Sequence, residues 1–416
     1  MLANALRYII SDTHRIPLGV KLVVLTLFLR TLGWGFADPF YSIFINNFSE
    51  NYTIVGLFVS LTGIVSLLAI IPLIRLADKV QDIRIMENGE IFYFFAILSY
   101  TGAGYLHSVP LLILGLILHG IGNPFVVVGA ESYIRKTGGD ARSFGYYTAL
   151  DYFGWILGMF IAAFTIQFYG FNNMFLFVLP STILGILILF RIKEDGLASL
   201  IMGFRQYFHH RKDFEDLWND FRAIDSKMFF FLLITFFDGM IRIFSYIFIP
   251  LFALSLNLSL KDIAILSAVM YLPFVFSFFF SEAADRTRKM FVIAFGLFIG
   301  AFSFVMLSFI VHQYWVLALA AMISLSMAIV RPAYNGMITR LTPRNMIGEA
   351  TSLDNLAMRF GYIVGPILTG FVADEFGLPV SFTVMAVIAL LLGITTLFLR
   401  GYDYLPKAVE NNVQAL

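Results

Sequence analysis

The chain has 416 residues, of which 59% are hydrophobic and only 13% are charged, whereas about a quarter of the residues in a soluble domain are charged. The net charge is +1 with scattered cations, which argues against a nucleic-acid partner. The absence of cysteine excludes disulfides and thiolate metal sites. The composition predicts an integral membrane protein surrounded by the lipid bilayer, with neither a metal nor a cofactor.

Twelve stretches are long and apolar enough to cross a bilayer, which takes about 20 residues. In chain order, helices 1 to 12 are predicted at 20–46, 54–74, 89–107, 109–133, 143–168, 171–191, 227–254, 261–281, 290–311, 314–338, 352–374 and 379–400. The polar stretch 192–226 divides them into two six-helix bundles, 1–191 and 227–416. Apolar side chains at helical spacing predict an amphipathic surface helix in this central loop, with a regulatory helix as the alternative.

Lysine and arginine are distributed unevenly between the two sides of the predicted membrane. Alternate segments, beginning with the N-terminus, hold 23 of the 28 cations, whereas the opposite loops hold only Lys261. Cytoplasmic loops carry the excess of positive charge. Both termini and the central loop are therefore predicted to face the cytoplasm, in a multi-pass protein of the plasma membrane.

The two halves of the chain repeat each other at an offset of 207 or 208 residues. The repeat pairs Asp78-Lys79 with Asp285-Arg286, and it pairs Gly154 and Gly158 with Gly361 and Gly365. Repeats of six spans share one orientation, and transporters place a substrate cavity at the interface of such repeats. We therefore expect two pseudo-symmetric bundles.

Over residues 20–400 the chain resembles the major facilitator superfamily. The loop after helix 2, from Ile74 to Gln81, and its repeat, from Ser281 to Lys289, keep the acid and neighbouring cations of the family's loop motif but lack its glycines. The resemblance implies a twelve-helix fold, rocker-switch alternating access and a cytoplasmic latch. Its predicted gate residues are Asp78, Lys79, Glu131, Asp285 and Arg286, although simple turn chemistry also explains the two aspartates.

Two family features are missing. Helix 4 has His119 where many proton-coupled members carry an arginine, and Met159 follows Gly158 in helix 5, where many drug exporters have a Gly-Pro hinge. A comparable pattern lies in helix 11, at Gly361, Gly365 and Pro366. We predict that these residues, with Gly154 and Gly158, act as hinges.

Seven ions fall inside predicted helices, where each costs about 2.5 to 3.5 kcal/mol unless it has a partner or faces water. They are Arg30, Asp38, Asp151, Asp238, Arg242, Arg331 and Arg359. We predict that they line a substrate and proton pathway. The alternative is structural pairing, or positions near helix ends for Arg331 and Arg359.

Some of these ions have a predicted role. Asp238 and Arg242, four residues apart, neutralise each other, and Arg30 and Asp238, equivalent in the repeat, form an ion pair between the halves. Asp38 is the first candidate for a proton-binding carboxylate and Asp151 is the second. His119 titrates near neutral pH or is a structural histidine.

The sequence predicts a secondary active transporter of small organic solutes, coupled to protons and working as a monomer, and not an enzyme. An exporter of lipophilic compounds from the same superfamily is the alternative. From other classes, a non-transporting membrane sensor and a lipid-modifying membrane enzyme stay open, although the scattered histidines offer no catalytic cluster.

Overall fold

The structure is a computed structural model that describes residues 16–76, 80–137, 141–193, 226–310, 312–341 and 347–399. The predicted amphipathic helix of the central loop lies outside the described residues, as do Asp78 and Lys79.

The described residues form helices at the positions of all twelve predicted spans. We number them α1 to α12, with α6 preceded by a 3₁₀ helix at Phe171–Phe177 and α8 broken into α8a and α8b. They are Leu18–Asn46, Tyr52–Leu76, Asp82–Leu106, Val109–Thr137, Ala141–Tyr169, Val178–Leu189, Ser226–Ser255, Leu260–Val275 with Ser277–Arg286, Lys289–Ser308, Gln313–Leu341, Ile347–Phe376 and Leu378–Phe398. The predicted all-α architecture is confirmed.

Two helices differ from the prediction. The third begins at Asp82 rather than at residue 89, because hydropathy excludes the charged residues of its first turns although they remain helical. The eighth breaks at Phe276, whose N–H bonds back to the carbonyl of Pro273 at 3.1 Å in a tight turn. Proline disrupts the helical hydrogen bonds around it, which accounts for the position of the break.

Ten segments among the described residues are long and apolar enough to cross a membrane. The other two are the charged α3 and the broken α8. Many large apolar side chains are exposed, such as Phe164, Phe168 and Phe398. Exposed apolar side chains on this scale are expected on a surface that faces lipid.

The described residues form two compact units. Unit 1 comprises those within Met1–Pro39 and Leu61–Arg211, and unit 2 those within Phe40–Ser60 and Lys212–Leu416. The end of α1 and the start of α2 thus belong to unit 2, where the Ser60 hydroxyl donates to the Ile363 carbonyl at 2.6 Å.

Glycines allow the same close helix contact in each unit. In unit 1, a Cβ on Gly154 would lie 2.9 Å from the Phe28 carbonyl oxygen, so α5 packs backbone to backbone on α1. In unit 2, a Cβ on Gly361 would lie 2.1 Å from the Phe236 carbonyl oxygen, so α11 packs likewise on α7. The two contacts are related by the offsets of 207 and 208 residues, which gives the repeat a structural basis.

Candidate functional site

Arg30 lies in the middle of α1 and is 8% exposed. Its Nη2 donates to the Tyr93 hydroxyl at 2.5 Å and to Asn123 Oδ1 at 2.8 Å. The guanidinium carbon also lies 4.5 Å from the centre of the Tyr93 ring, within the range of a cation–π interaction. Arg30 is therefore held by neutral groups of α3 and α4.

Carboxylates and a histidine surround this arginine. Glu90 lies one helical turn before Tyr93 and is fully buried. Asp151 on α5 is half-buried, and both carboxylates interact electrostatically with Arg30. The ring of His119 lies 5.2 Å from that of Tyr93. We call Arg30, Glu90, Tyr93, His119, Asn123 and Asp151 the Arg30 cluster.

His119 is packed among aromatic rings. Its ring centre is 4.5 Å from that of Trp34, and its Nδ1 is 3.3 Å from the Tyr100 hydroxyl oxygen. These contacts fit the structural alternative for this histidine and also place it beside Arg30.

Asp238 on α7 is 6% exposed and is the centre of the second charged group. Its Oδ2 lies 3.6 Å from Arg242 Nη2 and 3.5 Å from Arg331 Nη1. The predicted pairing of Asp238 with Arg242 is therefore present, and Arg331 of α10 joins it. We call these three residues the Asp238 cluster.

A neutral network with one carboxylate borders the Asp238 cluster. Asp354 on α11 accepts a hydrogen bond from the Thr235 hydroxyl at 2.6 Å, and the Tyr334 hydroxyl lies 3.4 Å from its other oxygen. Asp354 is 8% exposed and interacts electrostatically with Arg331. The sequence interpretation placed Asp354 at a helix end and left it out.

The remaining predicted site residues are less closely connected to the clusters. Asp38 is half-buried on α1 and is not among the hydrogen-bond partners of Arg30. Arg359 is half-buried on α11. The ion pair between Arg30 and Asp238 stays a prediction, since their described hydrogen bonds and ion pairs are to residues of their own units.

Two predicted gate positions can be located. Glu131 pairs with Arg135 at 3.6 Å near the end of α4, where both side chains are exposed. Asp285 and Arg286 end α8b. Their gating role stays a prediction.

The predicted hinge glycines lie at close helix contacts. A Cβ on Gly158 would lie 2.3 Å from the Leu32 carbonyl oxygen, and one on Gly365 would lie 3.1 Å from the Met240 Cα. Pro366 lies within α11, and a Cβ on Gly56 would lie 2.2 Å from its carbonyl oxygen. Glycine is required here for close packing, whereas motion at these positions stays a prediction.

The described residues contain no group of three or more histidine, aspartate or glutamate side chains able to hold a metal ion. Instead, the chemistry that the two clusters offer is proton exchange at buried carboxylates and recognition of anions by guanidinium groups.

Comparison with known proteins matches the Major Facilitator Superfamily over residues 23–260 and 231–415. An uncharacterized MFS-type transporter of Methanocaldococcus jannaschii is 23% identical over 380 residues, covering 90% of this chain and 96% of that protein. The uncharacterized MFS-type transporter YttB of Bacillus subtilis is 25% identical over 420 residues, covering 96% of this chain and 99% of that protein.

Solved transporter structures share the fold. The peptide transporter POT in complex with sulfate superimposes with a TM-score of 0.73 at 14% identity, covering 94% of this chain and 96% of that chain. A variant of the nucleoside transporter NupG gives a TM-score of 0.74 at 13% identity, covering 91% of this chain and 99% of that chain. With the family match along nearly the whole sequence, the chain belongs to the major facilitator superfamily of membrane transporters.

Proposed function

We propose that the protein is a secondary active transporter of small polar organic solutes that bear an anionic group. It works by alternating access and couples solute movement to protons. The observation that carries the proposal is the pair of guanidinium groups, from Arg242 and Arg331, that share the single carboxylate of Asp238.

The distances in the Asp238 cluster support an anionic solute. A charge-assisted hydrogen bond between nitrogen and a carboxylate oxygen is about 2.7 to 2.9 Å long, whereas both arginines lie at 3.5 Å or beyond from Asp238. A carboxylate or phosphate on a solute can approach these guanidinium groups more closely. Arg30 in unit 1 offers a further donor, since its Nε is buried without a hydrogen-bond partner among the described residues.

The structural neighbours agree with a polar solute. The printed names of two of them give peptides and nucleosides as what those proteins transport. Both classes are small polar organic molecules. At 13 to 14% identity these proteins support the type of process, and the preference for an anionic group comes from the arginines of this chain.

The buried carboxylates support proton coupling. Asp38, Asp151 and Asp238 lie within helices that are apolar enough to span the membrane, and carboxylates in such positions serve as proton relays in transporters. We propose that they form the solute and proton pathway together with Arg30, His119, Arg242, Arg331 and Arg359.

We also propose the arrangement of the chain in the membrane. The positive charge of alternate segments supports cytoplasmic termini and a cytoplasmic central loop, in a monomer of the plasma membrane. The gate residues Asp78, Lys79, Glu131, Asp285 and Arg286 then lie on the cytoplasmic side. The halves 1–191 and 227–416 are the two bundles that alternate, with 192–226 joining them.

Proteoliposomes that contain a trapped pH-sensitive dye test this function. We expect small carboxylates or phosphorylated metabolites, added outside, to change the internal pH, because protons move with them. Arg331→Gln should weaken this response to anions. A response to lipophilic cations such as tetraphenylphosphonium, with none to anions, indicates an exporter of lipophilic compounds instead. No response to any solute contradicts proton-coupled transport and favours a sensor or an enzyme.

A further inference from the structure

Glu90 is a buried carboxyl group with no assigned partner. It lies on α3, is 0% exposed, and neither of its oxygens has a hydrogen-bond partner among the described residues. Only a few per cent of buried polar groups in native proteins lack a partner, and each such group needs an explanation. Glu90 is therefore the most unusual ionisable residue of unit 1.

The nearest source of compensation is Arg30, which is bonded elsewhere. Its Nη2 donates to Tyr93 and Asn123, while Glu90 interacts with Arg30 only through electrostatics. A buried ion without a close partner costs several kcal/mol. This arrangement is therefore stable with a proton on Glu90, whereas an ionised Glu90 draws the guanidinium away from its neutral partners.

The internal repeat separates function from packing at this position. Gly89 packs closely on α4 through Val126, and Gly296, 207 residues later, packs closely on α10 through Val330. The residue that follows Gly296 is Leu297, which is 6% exposed. The same structural position thus holds an apolar side chain in unit 2, so helix packing does not require a carboxyl group.

The surroundings of the two positions also differ. Tyr93 occupies unit 1 where unit 2 has Gly300, and Gly300 and Leu297 line a cavity together with Asp238. Unit 1 fills the equivalent space with Glu90 and Tyr93 next to Arg30. The ionisable group at this depth of α3 is therefore a feature of one unit alone.

We propose that Glu90 is the proton-binding residue of this transporter and that it competes with an anionic solute for Arg30. This inference rests on the proposed function. A proton from water adds to a carboxylate oxygen of Glu90, and the resulting neutral acid leaves Arg30 able to bind the anionic group of the solute. Loss of that proton to water restores the carboxylate, which pairs with Arg30 and displaces the solute. Proton and anion therefore move in the same direction.

Several other ionisable groups of unit 1 act in this region. Asp151 competes with Glu90 for Arg30, and His119 on α4 interacts with the same guanidinium. Helix α6, which also packs against α3, carries no ionisable residue. The full set is Arg30 on α1, Glu87 and Tyr93 on α3, His119 on α4, and Tyr147 and Asp151 on α5.

Variants of Glu90 in the dye-loaded proteoliposomes test the proposal, with the carboxylates that acidify the interior for the unmodified protein as probes. We expect Glu90→Gln, which imitates the protonated side chain, to exchange these carboxylates across the membrane without acidifying the interior. Glu90→Asp keeps a titratable group and should keep the acidification. Glu87→Gln is the matched control, since Glu87 lies one turn earlier and pairs with Arg84 at 2.6 Å.

The outcomes separate this inference from the proposed function. If the unmodified protein acidifies the interior and Glu90→Gln does so equally, Glu90 is not the proton site, although proton-coupled transport stands. If no solute causes acidification by the unmodified protein, both proposals fail. Loss of acidification in Asp38→Asn, with Glu90→Gln unaffected, assigns the proton to Asp38 instead.

A measurement without solute covers the case in which a variant transports poorly. Infrared difference spectra of the whole protein in lipid, recorded through a pH titration, detect the carbonyl band of a buried protonated carboxylic acid. We expect a titrating band that Glu90→Gln lacks and Glu87→Gln retains. A band that is unchanged in Glu90→Gln overturns the proposal.

Discussion

The carboxylate of Asp374 accepts two hydrogen bonds from Thr53, one from its backbone N–H at 2.7 Å and one from its hydroxyl at 2.5 Å. It accepts a third from the N–H of Tyr52 at 2.7 Å. The first N–H groups of a helix have no partner within the helix, and a carboxylate is favoured at this positive end. A residue near the end of α11 thus caps the start of α2.

Removal of this cap should destabilise the protein. We expect Asp374→Ala to lower the free energy of unfolding by about 1 kcal/mol, the usual effect of losing a helix cap. The midpoint of thermal unfolding in detergent measures the change. The adjacent Glu375 is also exposed, so Glu375→Ala is the control. Equal midpoints for the two variants contradict the role given to Asp374.

Alanine at the close helix contacts should also destabilise the protein. A Cβ on Gly361 would lie 2.1 Å from the Phe236 carbonyl oxygen, so the backbones of α7 and α11 must separate. We expect Gly361→Ala to cost about 1 to 3 kcal/mol, as overpacking does.

Gly145 provides a control of opposite sign for this test. A Cβ there meets nothing within 4 Å, and alanine favours helix by about 1 kcal/mol over glycine. Gly145→Ala should leave the unfolding midpoint unchanged or raise it. If Gly361→Ala behaves in the same way, the packing of α11 on α7 differs from this description.

The sequence predicts the helices well because membrane spans give a strong signal. Runs of about 20 apolar residues are long enough to be recognised individually. The repeat also predicts the pairing of Gly154 with Gly361, which the structure places at equivalent contacts. The break in α8 was missed, because Pro273 lies in an apolar run that hydropathy reads as continuous.

The Arg30 cluster could be predicted only in part. Arg30 and Asp151 interrupt apolar runs and are visible as charges within helices. Glu90 lies just inside the predicted start of helix 3 and was taken for a boundary residue, whereas the structure begins α3 eight residues earlier, at Asp82. The contacts of Tyr93 and Asn123 with Arg30 depend on how three helices pack, which no pattern along one chain reveals. Helical spacing from Glu87 through Glu90 to Tyr93 is the signal that could have indicated a polar face.

The Asp238 cluster depends on its carboxylate. Asp238→Asn leaves Arg242 and Arg331 facing each other without an acid, and unpairing buried charges costs about 3 to 5 kcal/mol. We expect a large drop in the unfolding midpoint and a partial recovery on adding Arg331→Gln. Asp262→Asn, at the exposed start of α8a, is the control with little effect. A stable Asp238→Asn protein means that the three charges are not coupled.

Tyr93 positions Arg30 through its hydroxyl. Tyr93→Phe keeps the aromatic ring under the guanidinium and removes the hydrogen bond of 2.5 Å. Because a hydrogen bond to a charged group contributes about 1.5 to 3 kcal/mol, we expect lower stability and a higher KM for anionic solutes. The hydroxyl of Tyr100 lies near His119 rather than Arg30, so Tyr100→Phe should leave the KM unchanged. Equal KM values for Tyr93→Phe and the unmodified protein show that Arg30 keeps its position without this bond.

Because the chain contains no cysteine, single cysteines can be labelled without background and can test its orientation in the membrane. Glu50 is exposed between α1 and α2, and Ser199 belongs to the central stretch. If alternate segments rich in lysine and arginine face the cytoplasm, a membrane-impermeant thiol reagent labels Glu50→Cys in intact cells. It labels Ser199→Cys only after the membrane is opened. The opposite pattern inverts the whole topology, and labelling of both positions in intact cells shows that an odd number of spans does not separate them. Either result removes the basis for cytoplasmic gate residues, while the contacts within each unit are unaffected.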